Sequence, residues 1–149
     1  DLDDTVQYRI PNQVLLNQDG QRFAEVTVTE GGGLNVAESS RGLVSEDFDL
    51  DGRMDLVVLN SRSQPTVARN MSSGVGCWLC LDLVGINSNR DAIGSRVAVV
   101  VGDRRQVLEI HSGRGYQSHF GSRLHFGLGP AEQVDAVEVR WHNGDTERF

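Results

Sequence analysis

Four aspartates fall within nine positions of the stretch EDFDLDGRMDLVVLN (46–60): Asp47, Asp49, Asp51 and Asp55. Carboxylates that repel one another are crowded against a run built for burial, and a divalent cation is the simplest chemistry that makes this favourable. Written D-x-D-x-D-G-x-x-D, the cluster alternates, so in a curled loop Asp47, Asp49 and Asp51 can converge on one point. Gly52 stands where the chain must turn back, a place that favours positive φ and no Cβ. The carbonyl of Arg53 can then face inward, and Asp55 closes the site from the start of the next strand. Five oxygen-bearing groups suit a hard cation that takes six to eight oxygens, with water completing the shell. The expected ion is Ca2+, and its expected role is structural, since no base or nucleophile stands near it in the sequence.

The first six positions match the start of an EF-hand loop. An EF-hand also needs a bidentate acid at its twelfth position, which here is Val58, and flanking helices, whereas LVVLN reads as a strand. The pattern therefore predicts a calcium loop between two β-strands. Zinc is not expected on this reading, because no histidine or cysteine lies near the loop in sequence.

The elements that must position the loop read as strands and turns. Asp19-Gly20 between VLL and FAEVTV, the GDRR of 102–105 and Asn143-Gly144 after VDAVEVRW are hairpin signals. A single helical turn is expected only near 130–134, PAEQV, with Pro130 in a first-turn position. PNQVLLN (11–17) faintly echoes QPTVARN (64–70), an offset suited to propeller blades. The fold class expected is all-β: a propeller-blade-like antiparallel segment over 1–75 that carries the loop, then an antiparallel β-sandwich-like domain over 76–149. The boundary falls in the small, polar NMSSGVG, and the chain reads as cut from a longer precursor, truncated at its C-terminus.

Composition narrows the partners. The 149 residues carry a net charge of −7, nearly all of it in the first half. That balance excludes a nucleic-acid face, and no apolar run is long enough for membrane insertion. All fourteen basic residues are arginine, so no lysine is present to form a Schiff base. Cys77-Trp78-Leu79-Cys80 lies in a strand-like context, where residues three apart point to opposite faces, so packed cysteines are expected rather than a redox pair. A hydrolytic triad of Ser112, a histidine and Asp103 has no supporting spacing, and no enzyme is expected. His111 and His125 read as strand residues on a polar face. The loop SGRGYQSHFGSR (112–123), with Arg114, Tyr116, His119 and Arg123, could touch a sugar or an acidic partner, but a loop aromatic more simply anchors its own loop. Asn70-Met71-Ser72 is an N-glycosylation sequon, relevant only to a source that glycosylates.

Two resemblances follow from these motifs. RGLVSEDFDLDGRMDLVVLN, with the preceding PNQVLLNQDGQRFAEVTV, resembles the FG-GAP or VCBS repeat of integrin-like β-propellers. That resemblance implies Asp47, Asp49, Asp51, Arg53 (through its carbonyl) and Asp55 as calcium ligands. Residues 78–149, through SNRDAIGSRV, SGRGYQS, LHFGLG and VEVRW, resemble the ASPIC/UnbV domain of cartilage acidic protein-like chains. The two together imply an extracellular, cell-surface or periplasmic calcium-binding module for adhesion or recognition, with a protein or glycan partner. The alternative is an accessory carbohydrate-recognition domain of a secreted enzyme whose catalytic residues lie elsewhere. A lone blade also has unpaired edges, so its strands are expected either to pack on the C-terminal domain or to self-associate.

Overall fold

The computed structural model describes residues 8–26, 33–116 and 118–149. The chain is all-β, with no α-helix among the described residues, and forms two compact units. The first comprises residues up to Glu46 together with Met54–Asn70; the second comprises Asp47–Arg53 and Met71–Phe149. The aspartate-rich loop therefore belongs with the C-terminal residues, although in sequence it interrupts the first unit.

In the first unit, β1 (Val14–Gln18) and β2 (Arg22–Val26) form the hairpin expected at Asp19-Gly20. Asp19 (φ 55°) and Gly20 (φ 73°) are both left-handed, and the Gln21 N–H donates to the Gln18 carbonyl at 3.1 Å. This is the mirror-image turn whose twist matches that of the strands. The expected strand runs on to Val28, but Thr27 and Val28 lie outside the described residues. β3 (Ser40–Glu46), β4 (Asp55–Asn60) and β5 (Thr66–Ala68) form a three-stranded antiparallel meander. Asn60 braces its far end, donating to the Gln64 carbonyl at 2.9 Å and to Thr66 Oγ1 at 3.0 Å. Val58 is the buried hydrophobic residue of this unit among the described residues, while Leu15, Leu16, Phe23, Leu43 and Val67 are exposed. So thin a core leaves this unit little apolar burial of its own.

The second unit holds most of the buried apolar side chains. β7 (Arg96–Val101) lies between β10 (Ala136–Arg140) and β8 (Arg104–Glu109), and β11 (Thr146–Arg148) completes a four-stranded antiparallel sheet. β6 (Cys77–Leu81) pairs with β9 (Leu124–Gly129) in a second sheet. Alternation fixes what each buries. Val97 and Val99 of β7, Val139 of β10, and Leu124, Phe126 and Leu128 of β9 form one core with Ala92 and Ile110, against which Cys77, Leu79 and Leu81 pack. This is the two-layer arrangement that the strand patterns predict. The hairpin at Gly102-Asp103 forms as expected, Val101 facing Arg104, and the Gly102 N–H donates to Asp135 Oδ2 at 2.7 Å.

The helical turn expected at 130–134 is absent; the segment is a run of turn and bend. One turn makes too few hydrogen bonds to offset the order it imposes, and Ala131 and Val134 are held instead by packing on the core.

Phe126 is 1 % exposed and Leu16 is 57 % exposed. Phe126→Ala should cost about 3–5 kcal/mol and Leu16→Ala no more than about 0.5 kcal/mol, read from urea unfolding curves; similar losses would contradict the assigned core. On the same unit, Arg96 and Glu109 stand directly opposite across β7 and β8. The hydrogen bond from Arg96 Nε at 2.7 Å, then the charges of Arg96 and His111, hold Glu109 below the usual carboxylate range against some desolvation. The stabilisation this gives is present above the unfolded-state value near 4.5 and is lost as pH falls through the lowered one. NMR titration should find the Glu109 midpoint below that of a model peptide, and Arg96→Gln should move it upward.

Candidate metal centre

The loop 47–53 is wound about the side chain of Asp47. Its Oδ1 accepts the Asp51 N–H at 3.0 Å and its Oδ2 the Gly52 N–H at 2.9 Å. Those bonds need the chain to double back within five residues, and Leu50 (φ 58°) and Gly52 (φ 86°) do this in left-handed conformations. Asp51 turns its carboxylate to Arg53: Oδ1 accepts the Arg53 N–H at 3.0 Å, and Oδ2 is ion-paired with the guanidinium. Asp47 is 1 % exposed, whereas Asp49 is exposed. Carboxylate oxygens of Asp47 and Asp49 lie within 4.8 Å of each other. An ion at calcium–oxygen distances of 2.3–2.6 Å can touch two oxygens up to about 5 Å apart, so this pair fits the hard cation that the spacing implies.

Asp55 belongs to the first unit, where it opens β4 opposite Glu46. It is buried, and its Oδ1 accepts the Asn70 N–H at 2.8 Å. The Asn70 side chain donates to the Met54 carbonyl at 3.3 Å, so the amide of the sequon is engaged within the fold.

The loop is seated on the face of β6–β9 turned away from the core. β9 alternates Leu124, Phe126 and Leu128 inward, which leaves His125 on the other face. Cys80 is its direct cross-strand partner. Trp78, two residues before Cys80, shares that face and stacks on His125, with ring centroids 5.7 Å apart and planes at 13°. The backbone of Gly52 lies close against the Trp78 ring: a Cβ there would overlap Cδ1 and Nε1 of the indole. Asp47 thus comes to rest above Cys80 and His125, and donor atoms of the three lie within 4.8 Å of one another. His125 Nε2 is buried without a hydrogen-bond partner, 3.9 Å from Asp47 Oδ2.

Cys77 and Cys80 do point to opposite faces, Cys77 packing on the core and Cys80 facing the loop, and neither is in a disulfide. What sequence reasoning missed is Trp78, Cys80 and His125 as neighbours of the aspartates. The alternation of β6 and β9 marks their shared face, but only the register of two strands far apart in sequence brings them together.

The other candidate loop is anchored by one of its own aromatics, Phe120 rather than Tyr116. Arg114 lies over the Phe120 ring, 4.6 Å from its centroid, and donates to the Gly121 and Arg123 carbonyls at 3.3 Å. Arg123 pairs with Asp82 at 3.1 Å. The loop thus anchors itself through Arg114 and Phe120, while Tyr116 stays 62 % exposed. A groove of about 520 Å³ crosses the outer face of the four-stranded sheet, but its charges answer one another, Arg105 and Arg148 both turning to Glu138.

The second unit is thus an antiparallel two-sheet β domain with a carboxylate-rich loop seated on one face. Residues 85–149 match the family model described as ASPIC and UnbV. β6, with Trp78 and Cys80, and the loop 47–53 lie outside the matched residues. No curated protein matches the chain.

Gly52 and Gly20 are both left-handed, but a Cβ on Gly20 meets open space. Gly20→Ala should therefore cost only the left-handed penalty of about 1–2 kcal/mol, and Gly52→Ala a further 1–3 kcal/mol or so for overpacking. Only the second should alter Trp78 fluorescence. Equal effects on stability and emission would show that the loop is not seated on the indole.

Proposed function

We propose that this chain is a non-catalytic, calcium-binding interaction module of an extracytoplasmic protein, in which an FG-GAP/VCBS-like repeat segment precedes an ASPIC/UnbV-type β domain. The reading is carried by one observation: a carboxylate buried at Asp47, around which the loop winds with Asp49 in reach of the same ion. The β3–β4–β5 meander, with the aspartate loop between β3 and β4, supports the repeat assignment. The match over residues 85–149 supports the domain assignment. Calcium is held by the loop itself, through Asp47, Asp49, Asp51 and the Arg53 carbonyl, and its work is to fix the shape of the loop rather than to activate a substrate. The partner is a protein or glycan met at a surface.

Calcium titration during thermal unfolding tests the reading. At a hundredfold its dissociation constant the ion should stabilise the wild type by about 2.7 kcal/mol. Asp49→Ala should abolish most of that response, with circular dichroism confirming that the variant is folded. A wild-type curve indifferent to millimolar calcium would overturn the proposal.

A further inference from the structure

We infer that Asp47, Cys80 and His125 form a second metal site, for a borderline divalent ion of the zinc class. Its donors are a carboxylate oxygen, a thiolate and an imidazole nitrogen, a set for which calcium has little affinity and Zn2+ a high one. The inference does not rest on the calcium reading, because Cys80 and His125 take no part in that shell.

Three features of the molecule carry it. First, the donors converge: atoms of all three residues lie within 4.8 Å of one another, and Asp47 Oδ2 and His125 Nε2 are 3.9 Å apart. A tetrahedral zinc with ordinary bond lengths holds its O, N and S ligands about 3.3–3.6 Å from one another, so side-chain adjustments of a few tenths of an ångström to about one ångström close the site. Second, His125 Nε2 is buried with no hydrogen-bond partner. A buried nitrogen without a partner carries a desolvation cost, and a metal bond would remove it. Third, the scaffold is rigid where it must be. Cys80 and His125 are directly paired across β6 and β9, and Trp78 fixes the imidazole plane by stacking.

Charge balance favours a divalent ion. On binding, the Cys80 thiol loses its proton to solvent and the sulfur lone pair forms the metal–sulfur bond; neutral His125 gives the Nε2 lone pair, and Asp47 is already anionic. The two negative charges of Asp47 and Cys80 then match those of M2+, so the enclosed site has no net charge. Three protein donors leave a fourth position for water. Asp47 is common to both sites, and with both ions bound it bridges them.

The probe is Co2+, titrated into the whole chain under reducing conditions. One equivalent should bind with thiolate-to-cobalt charge transfer in the near ultraviolet and the visible bands of tetrahedral cobalt, and Zn2+ should displace it. Cys80→Ser should remove the charge-transfer band, and Cys77→Ser, on the other face of β6, should leave it intact. His125→Asn should weaken binding by roughly tenfold or more, with circular dichroism confirming that each variant is folded. Asp49→Ala should keep the cobalt spectrum while losing the calcium response, so the two readings can fail separately. No charge-transfer band in the folded wild type, or one that survives Cys80→Ser, would overturn the inference.

Discussion

A carboxylate withdrawn from water governs this structure. Asp47 is 1 % exposed, and burying its charge would cost several kcal/mol were it not compensated. Two backbone N–H groups, from Asp51 and Gly52, supply part of that compensation, and supplying them dictates the loop. The chain must reverse within five residues, so Leu50 and Gly52 take left-handed conformations. Gly52 must also lack a side chain, because the indole of Trp78 occupies the space where one would lie. The Gly52 position therefore serves two requirements at once, one of backbone angle and one of contact.

The β6–β9 pair divides its work by face. Inward, Leu79, Leu81, Leu124, Phe126 and Leu128 join the core that holds the second unit together. Outward, Trp78, Cys80 and His125 carry the polarisable and polar groups that receive the loop. A bulge between Cys77 and Trp78 places Gly127 opposite Trp78 and Gly129 opposite Cys77, so no side chain from β9 competes with the indole for its place. The stability of the core face is thus what gives the outer face fixed positions.

Much of this was legible in the chain because it is local. The turns at Asp19-Gly20, Gly102-Asp103 and Asn143-Gly144 were readable from dipeptides that tolerate left-handed or tight backbone, and the strands from period-two burial. The opposite facing of Cys77 and Cys80 followed from strand geometry alone. PAEQV misled because Pro130 suits a helix start, yet Ala131 and Val134 gain more by packing on the core than one helical turn could supply. In sequence, Cys80 has the pattern of a packed cysteine and His125 that of a strand residue on a polar face, because their juxtaposition depends on a pairing across some 45 residues that no local pattern encodes. The loop is contiguous with the first segment in sequence, and contiguity says nothing of the Trp78 face that receives it.

The spacing of the two cysteines has a consequence of its own. Three residues along an extended strand span about 10 Å, beyond the roughly 7 Å that a disulfide can bridge, and the thiols project from opposite sides of β6. No oxidant can join them while that strand stays paired with β9. Whatever the redox potential of its surroundings, the folded domain keeps two separate sulfurs in two separate environments and gains no covalent cross-link from its CxxC.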